Sequence, residues 1–278
     1  DAQYSAICNE SGGIIDDLIL YRKLDGYLMV VNASNTNKNF KWLKSKLYYD
    51  CKIKDKSNEY SLIAIQGPKS REIISKLTDS LIDLKFYTHM EATICGNKVL
   101  LSRTGYTGEL GFEIYASHSS IIQIWKELIL IGVQPCGLVV RDILRLEMKY
   151  CLYGNDINER TNPIESGLSW ITAKNKENFI GRESILEASN SIDKFLVAFK
   201  LLEKGIPRKG YEIFKDGKKI GYVTSGSHSL SLNCGIGMGF VQIEFSGNDQ
   251  KIEILIRNKP VLATIIKAPF IKNSSLLD

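Results

Sequence analysis

Residues 99–115 read VLLSRTGYTGELGFEIY. Two runs of strand-favouring residues flank a loop with glycines at 105, 108 and 111, which predicts two strands around a glycine-rich connection. The spacing is not GxGxxG, and no Lys-Ser/Thr pair closes the loop, so neither a dinucleotide fingerprint nor a P-loop is present. In the second strand Glu113 and Tyr115 share one face, and Phe112 and Ile114 share the other. Glu113 is either a solvent-facing strand residue or an acceptor for a ligand with adjacent N–H donors.

Working outward, a second informative stretch is GGIIDDLILY, residues 12–21. Strand alternation puts Ile15, Asp17, Ile19 and Tyr21 on one face and Ile14, Asp16, Leu18 and Leu20 on the other. Burying an unpaired carboxylate costs several kcal/mol or shifts its pKa. Either one of the two aspartates has a specific partner or task, or one sits at a sheet rim in water.

Strands over 14–22 and 27–31 flank an Asp25-Gly26 hairpin signal. Phe40, Leu43 and Leu47 carry a helical period, residues 60–66 form a strand ended by Gly67-Pro68, and residues 70–77 a short helix. An amphipathic helix is predicted over 119–131, with Ile121, Ile124, Trp125 and Leu128 on one face, and another begins near Leu138. From about Asp193 short strands recur at regular spacing, with an Asp216-Gly217 turn, and predict a small antiparallel barrel. The fold class is therefore α+β: residues 1–190 as a domain of mixed sheets and helices, then residues 191–278 as a C-terminal β-barrel.

The 278 residues are 44% hydrophobic, enough for an ample core, and no apolar run is long enough to span a membrane. The net charge of +5 comes from scattered Lys and Arg, which biases towards an anionic ligand or acidic partner and against nucleic acid. Six dispersed cysteines without CxxC and three separated histidines suggest neither a metal site nor a disulfide framework, and point to a reducing compartment. No Ser-His-Asp or Cys-His pattern supports covalent catalysis. In residues 137–156, GLVVRDILRLEMKYCLYGND, Arg141 lies in the first turn of a helix, where a cation opposes the helix dipole. An arginine there is usually a surface or ion-pair residue, with Asp142 and Arg145 close by in sequence.

A series of longer motifs goes further. NESGGIIDDLILY (9–21), AIQGPKS (64–70), RTGYTGELGFEIY (103–115), GLVVRDILRLEMKYCLYGNDI (137–157), PIESGLSW (163–170), NFIGRE (178–183), KGIPRKGYEIF (204–214) and VTSGSHSLSLNCGIGMGFV (223–241) follow one another along essentially the whole chain. In this order they resemble the glycine cleavage system T-protein family of aminomethyltransferases. Related tetrahydrofolate-binding proteins of iron–sulfur assembly and tRNA modification carry KGCYxGQE, where this chain has KENFIGRE.

The resemblance implies a tetrahydrofolate-dependent enzyme. It would move the methylene of an aminomethyl group, carried on the lipoyl arm of H-protein, to tetrahydrofolate, releasing ammonia and forming 5,10-methylenetetrahydrofolate. One carboxylate can manage the protons near N5 and N10, and an apolar setting tunes such a group towards the working range. By motif position that catalytic acid is Asp17, with Ile19 and Tyr21 lining the folate cavity and Asp16 making a structural hydrogen bond. Glu113 would accept from the pterin 2-amino and N3–H groups, and Arg141 would donate to the pterin's acceptor side or to a folate carboxylate. Tyr106 and Tyr150 would pack on the ring system and Tyr4 would border the cavity, although for each tyrosine alone core packing is the commoner role.

The implied partners are lipoylated H-protein and a small-molecule folate, with no metal, nucleic acid or membrane. The implied compartment is the cytoplasm in a bacterium or the mitochondrial matrix in a eukaryote. The chain starts with Asp rather than Met and lacks the segment that precedes YSAICNE in the family, and its tail PFIKNSSLLD lacks the tyrosines often found near the family's end. The chain is thus expected to be a fragment or processed product. The alternative is a shortened, non-catalytic relative that binds folate or a partner protein; retention of Asp17, Glu113 and Arg141 together favours the enzyme.

Overall fold

The computed structural model describes residues 1–48 and 50–278. Separated stretches of chain build two compact units, the first from residues 1–4, 19–141 and 273–278, the second from residues 5–18 and 142–272. The strands β1 (Ala2–Cys8), β2 (Ile14–Lys23) and β3 (Gly26–Val31) form a three-stranded sheet with β2 in the centre. The expected hairpin between β2 and β3 is present, and Gly26, at φ +142°, opens β3.

In the first unit α1 (Thr36–Ser45) precedes β4 (Ser61–Gln66), α2 (Ser70–Ser75), β5 (His89–Ile94), β6 (Asn97–Ser102), β7 (Gly111–Ala116) and α3 (His118–Leu130). The four strands make an antiparallel sheet in the order β4-β7-β6-β5. All six residues of β7 are buried, so both faces of this central strand are covered. Phe112 and Ile114 enter the main core with Ile63, Leu101, Ile121 and Ile124, while Tyr115 joins Tyr21 and Leu100 in a smaller cluster with Ile19 packed against it. The split of β7 into two faces is therefore as the alternation predicts.

Three local expectations need correction. Trp125 is 45% exposed while Ile121, Ile124 and Leu128 are buried, because it falls at the flank of the helical stripe, where long side chains reach water. Leu47 lies beyond the end of α1 and is exposed. The helix starting at Ser70 ends at Ser75, after which Lys76 and Leu77 donate to the carbonyls of Ile73 and Ile74 in a tightened last turn.

The helix α4 (Leu138–Glu147) begins in the first unit and ends in the second. The second unit continues through α5 (Arg182–Asn190) into β8 (Lys194–Leu201), β9 (Glu212–Lys215), β10 (Lys218–Ser229), β11 (Cys234–Gln242), β12 (Lys251–Ile256) and β13 (Lys259–Ile266). These six strands close into an antiparallel barrel in the order β10-β11-β8-β13-β12-β9. Asp216 (φ +50°) and Gly217 (φ +75°) turn β9 into β10, two left-handed residues as a tight hairpin demands. Phe199, Ile213, Val223, Ile252, Ile254 and Ala263 are among the residues that fill its core. The α+β class with a C-terminal antiparallel barrel is thus the observed architecture.

Among the described residues no helix is long and apolar enough to cross a membrane. Nor does any group of three or more His, Cys, Asp or Glu among them stand where it could hold a metal ion. All six cysteines carry free thiols.

Candidate functional site

Each unit encloses a polar centre. In the first, Glu113 is 7% exposed and faces away from the Phe112–Ile114 core. Its Oε2 accepts from the Thr104 hydroxyl at 2.5 Å and from the Tyr115 phenol at 3.3 Å. Ser102, the β-pairing partner of Glu113, places its Oγ 2.8 Å from Thr104 Oγ1. The phenol of Tyr21 lies 3.2 Å from Thr104 Oγ1 and 3.1 Å from the Tyr115 phenol. Burial and then the Glu113 carboxylate push the pKa values of both phenols up, which keeps them protonated as donors. His89 meets Tyr21 edge-on at 5.4 Å, and burial lowers its pKa.

Both hydrogen bonds to Glu113 fall on Oε2, and no cation pairs with the carboxylate among the described residues. A buried acceptor of this kind suits a ligand that brings N–H donors. Of the two readings left open by the sequence, the solvent-facing one is excluded by burial.

The glycine-rich loop beside this centre has an internal reason for its glycines. The Gln66 side chain donates to the carbonyls of Thr104 (3.3 Å) and Phe112 (3.2 Å) and accepts from Thr107 (3.0 Å), tying together both ends of the loop. A Cβ at Gly105 or Gly111 would come within 2.0 or 2.2 Å of Gln66 Oε1. In the same loop Tyr106 carries the Arg141 guanidinium over its ring at 4.7 Å, so these two site candidates meet in a cation–π contact.

The second unit holds Asp17, half-buried on β2, next to the fully buried Asp16. The sheet-rim reading thus fails for Asp16. Asp17 is close enough to Cys151 that, after burial and Asp156, its charge helps to push that thiol's pKa up. Tyr150 precedes Cys151 and is half-buried; its carbonyl accepts from Arg145 Nη1 at 3.0 Å and its N–H donates to the Arg145 carbonyl at 2.9 Å. Lys149, at φ +59°, holds its ammonium 5.5 Å from the Phe195 ring, and burial lowers its pKa.

Around them runs a network that local sequence patterns do not disclose. Arg145, 1% exposed, donates to Asp142 and, at 2.7 Å, to the fully buried Asp156. Asp156 also accepts from Thr224 (2.5 Å), Ser225 (3.0 Å) and the amide of Leu152 (2.9 Å). Arg145 therefore has two acids, Asp142, which stands beside Arg141 in sequence, and Asp156, eleven residues after Arg145. Glu147, likewise buried, accepts from Ser229 at 2.5 Å.

Within the first unit, then, Tyr21 and Glu113 converge through Thr104 and Tyr115, Ile19 packs in the same small cluster, and Tyr106 pairs with Arg141. Tyr4 is half-buried on β1. Asp17 and Tyr150 belong to the second unit's group.

Comparison with known proteins fixes the family. The family model for the GCVT N-terminal domain matches residues 1–176, and that for the glycine cleavage T-protein C-terminal barrel domain matches residues 194–272. The chain belongs to the glycine cleavage T-protein family. This family's aminomethyltransferases include one from Halothermothrix orenii, 45% identical over 275 residues, which cover 96% of this chain and 77% of the relative. Another, from Chloroherpeton thalassium, is 45% identical over 278 residues, covering 97% and 77% of the two chains. The crystal structure of the glycine cleavage system aminomethyltransferase T from Bartonella henselae superposes with a TM-score of 0.91 at 29% identity, covering 99% of this chain and 77% of that one. A T-protein fold of transferase type, with its barrel, is therefore the frame in which both polar centres sit.

Proposed function

We propose that this aminomethyltransferase passes the methylene of an aminomethyl group, carried on the lipoyl arm of H-protein, to tetrahydrofolate. The reaction releases ammonia and yields 5,10-methylenetetrahydrofolate. The observation that supports it best is Glu113, a buried carboxylate with one oxygen held by hydroxyl donors and no cation paired with it among the described residues. A pterin edge offers the two adjacent N–H donors that such an acceptor lacks, so the residues present fit this co-substrate.

The remaining roles follow the same reading. Ile19 and Tyr21 line the folate cavity beside Glu113, Tyr4 borders it, and Tyr106 and Tyr150 pack on the ring system. Arg141 donates to the pterin's acceptor side or to a folate carboxylate, and its contact with the Tyr106 ring steadies both side chains. Asp17 holds and delivers the proton near the reacting nitrogens, and no metal takes part. In this reading residues 1–190 are the tetrahydrofolate domain and residues 191–278 the barrel domain.

Calorimetry and turnover test the proposal together. Tetrahydrofolate should bind the folded chain, and Asp17→Asn should lose methylene transfer while keeping most of that binding. Absence of folate binding by well-folded protein sinks the functional reading. Full turnover by Asp17→Asn in a version that includes the relatives' additional length sinks the assignment of Asp17.

A further inference from the structure

We propose that residues 273–278 are a strap that fixes the glycine-rich loop 103–111, with Ser275 and Arg103 as its positioning residues for the Glu113 centre. The proposal rests on the reading of that centre as a folate site.

The strap holds both ends of the loop. At the far end, the backbone N–H of Ser275 donates to Glu109 Oε2 at 3.1 Å, the Ser275 hydroxyl donates to the same oxygen, and the amide of Leu110 donates back to Ser275 Oγ at 2.9 Å. Ser275 is 9% exposed, so these bonds are made largely out of water. At the near end, Arg103 is 1% exposed and lies between the rings of Phe86 and Phe112, 5.7 and 5.6 Å from their centres. One of its nitrogens donates across the neck of the loop to Gly111 O at 3.2 Å; another reaches Leu276 O at 2.6 Å and Asp278 O at 3.4 Å. A second arginine, Arg71, donates to Asp278 O at 3.1 Å.

Chain segments outside regular structure stay poorly ordered unless tied down. This one is tied at Ser275, Leu276 and Asp278, through bonds that lead to the loop or to the arginines beside it. Arg103 is followed directly by Thr104, whose hydroxyl donates to Glu113. Fixing Arg103 therefore fixes the donor that orients the carboxylate, and an ordered site loses less freedom when its ligand binds. The strap thus acts on binding geometry rather than on the chemical step.

The test uses Ser275→Ala, with Ser275→Thr as the conservative rescue, and a chain ended after Lys272 as the stronger variant. Hydrogen exchange of the Leu110 amide should speed up about tenfold in Ser275→Ala, and the dissociation constant and KM for tetrahydrofolate should rise about five- to tenfold. The kcat should stay within about twofold, and Ser275→Thr should restore most of the affinity. A merely structural role would lower the amount of active protein without this split. Unchanged exchange at Leu110 in Ser275→Ala overturns the proposal, whether or not the shortened chain folds. Faster exchange with unchanged affinity overturns its functional half; if Glu113→Gln also leaves affinity unchanged, the folate reading falls while the strap's hold on the loop stands.

Discussion

Glu113 is an acid whose surroundings supply hydroxyl donors but, among the described residues, no paired counter-charge. Such a group costs stability while the site is empty and repays it through a ligand's N–H donors. Glu113→Gln should therefore leave thermal stability unchanged or slightly raised, and weaken tetrahydrofolate binding roughly 10- to 100-fold, the scale of a hydrogen bond to a charged group. Calorimetric titration beside a melting curve checks it; a large drop in melting temperature with unaltered affinity would show Glu113 to be a packing residue. The residue type and its strand face were legible in residues 112–115. Its donors were less so, because Thr104 reads in sequence as one polar residue among several in a glycine-rich loop.

The loop between β6 and β7 shows how an element acquires its shape from a residue outside it. Gln66 spans from Thr104 to Phe112 only because positions 105 and 111 have no Cβ. Gly105→Ala should push the Gln66 amide out and leave the carbonyls of Thr104 and Phe112 without that donor, costing about 1–3 kcal/mol. Urea denaturation of Gly105→Ala, Gln66→Ala and the double variant checks this. The two changes should be strongly non-additive, and simple additivity would refute the shared mechanism. The sequence showed three glycines without phosphate-loop spacing. What it lacked was the reason for them, since Gln66 lies 38 and 46 residues from its two acceptors.

At the scale of the whole molecule, each unit is assembled from stretches far apart in the chain, and several of its buried polar groups find their partners across those distances. Arg145 and Asp156 form a fully buried pair that also bonds to Asp142, Tyr150, Leu152, Thr224 and Ser225. Removing one partner strands the other's charge, so Asp156→Asn should destabilise the fold by roughly 3–5 kcal/mol. The double variant Arg145→Met, Asp156→Leu should lose markedly less, and equal losses in chemical denaturation would contradict the argument. By itself the sequence determined many of the elements, the hairpin at Asp216-Gly217, the barrel class, the alternation that sets Glu113 and Tyr115 apart from Phe112 and Ile114, and, through its motifs, the family. These are local or additive signals: period, turn chemistry and motif order survive in a string of letters. Only the tertiary structure decided which hydroxyls meet Glu113, which acids hold Arg145, and that residues 273–278 reach the loop at 103–111. Those partners stand 83 residues apart for Tyr21 and Thr104, 80 for Arg145 and Ser225, and 166 for Ser275 and Glu109, where no periodicity links them and only the folded backbone brings them within a hydrogen bond.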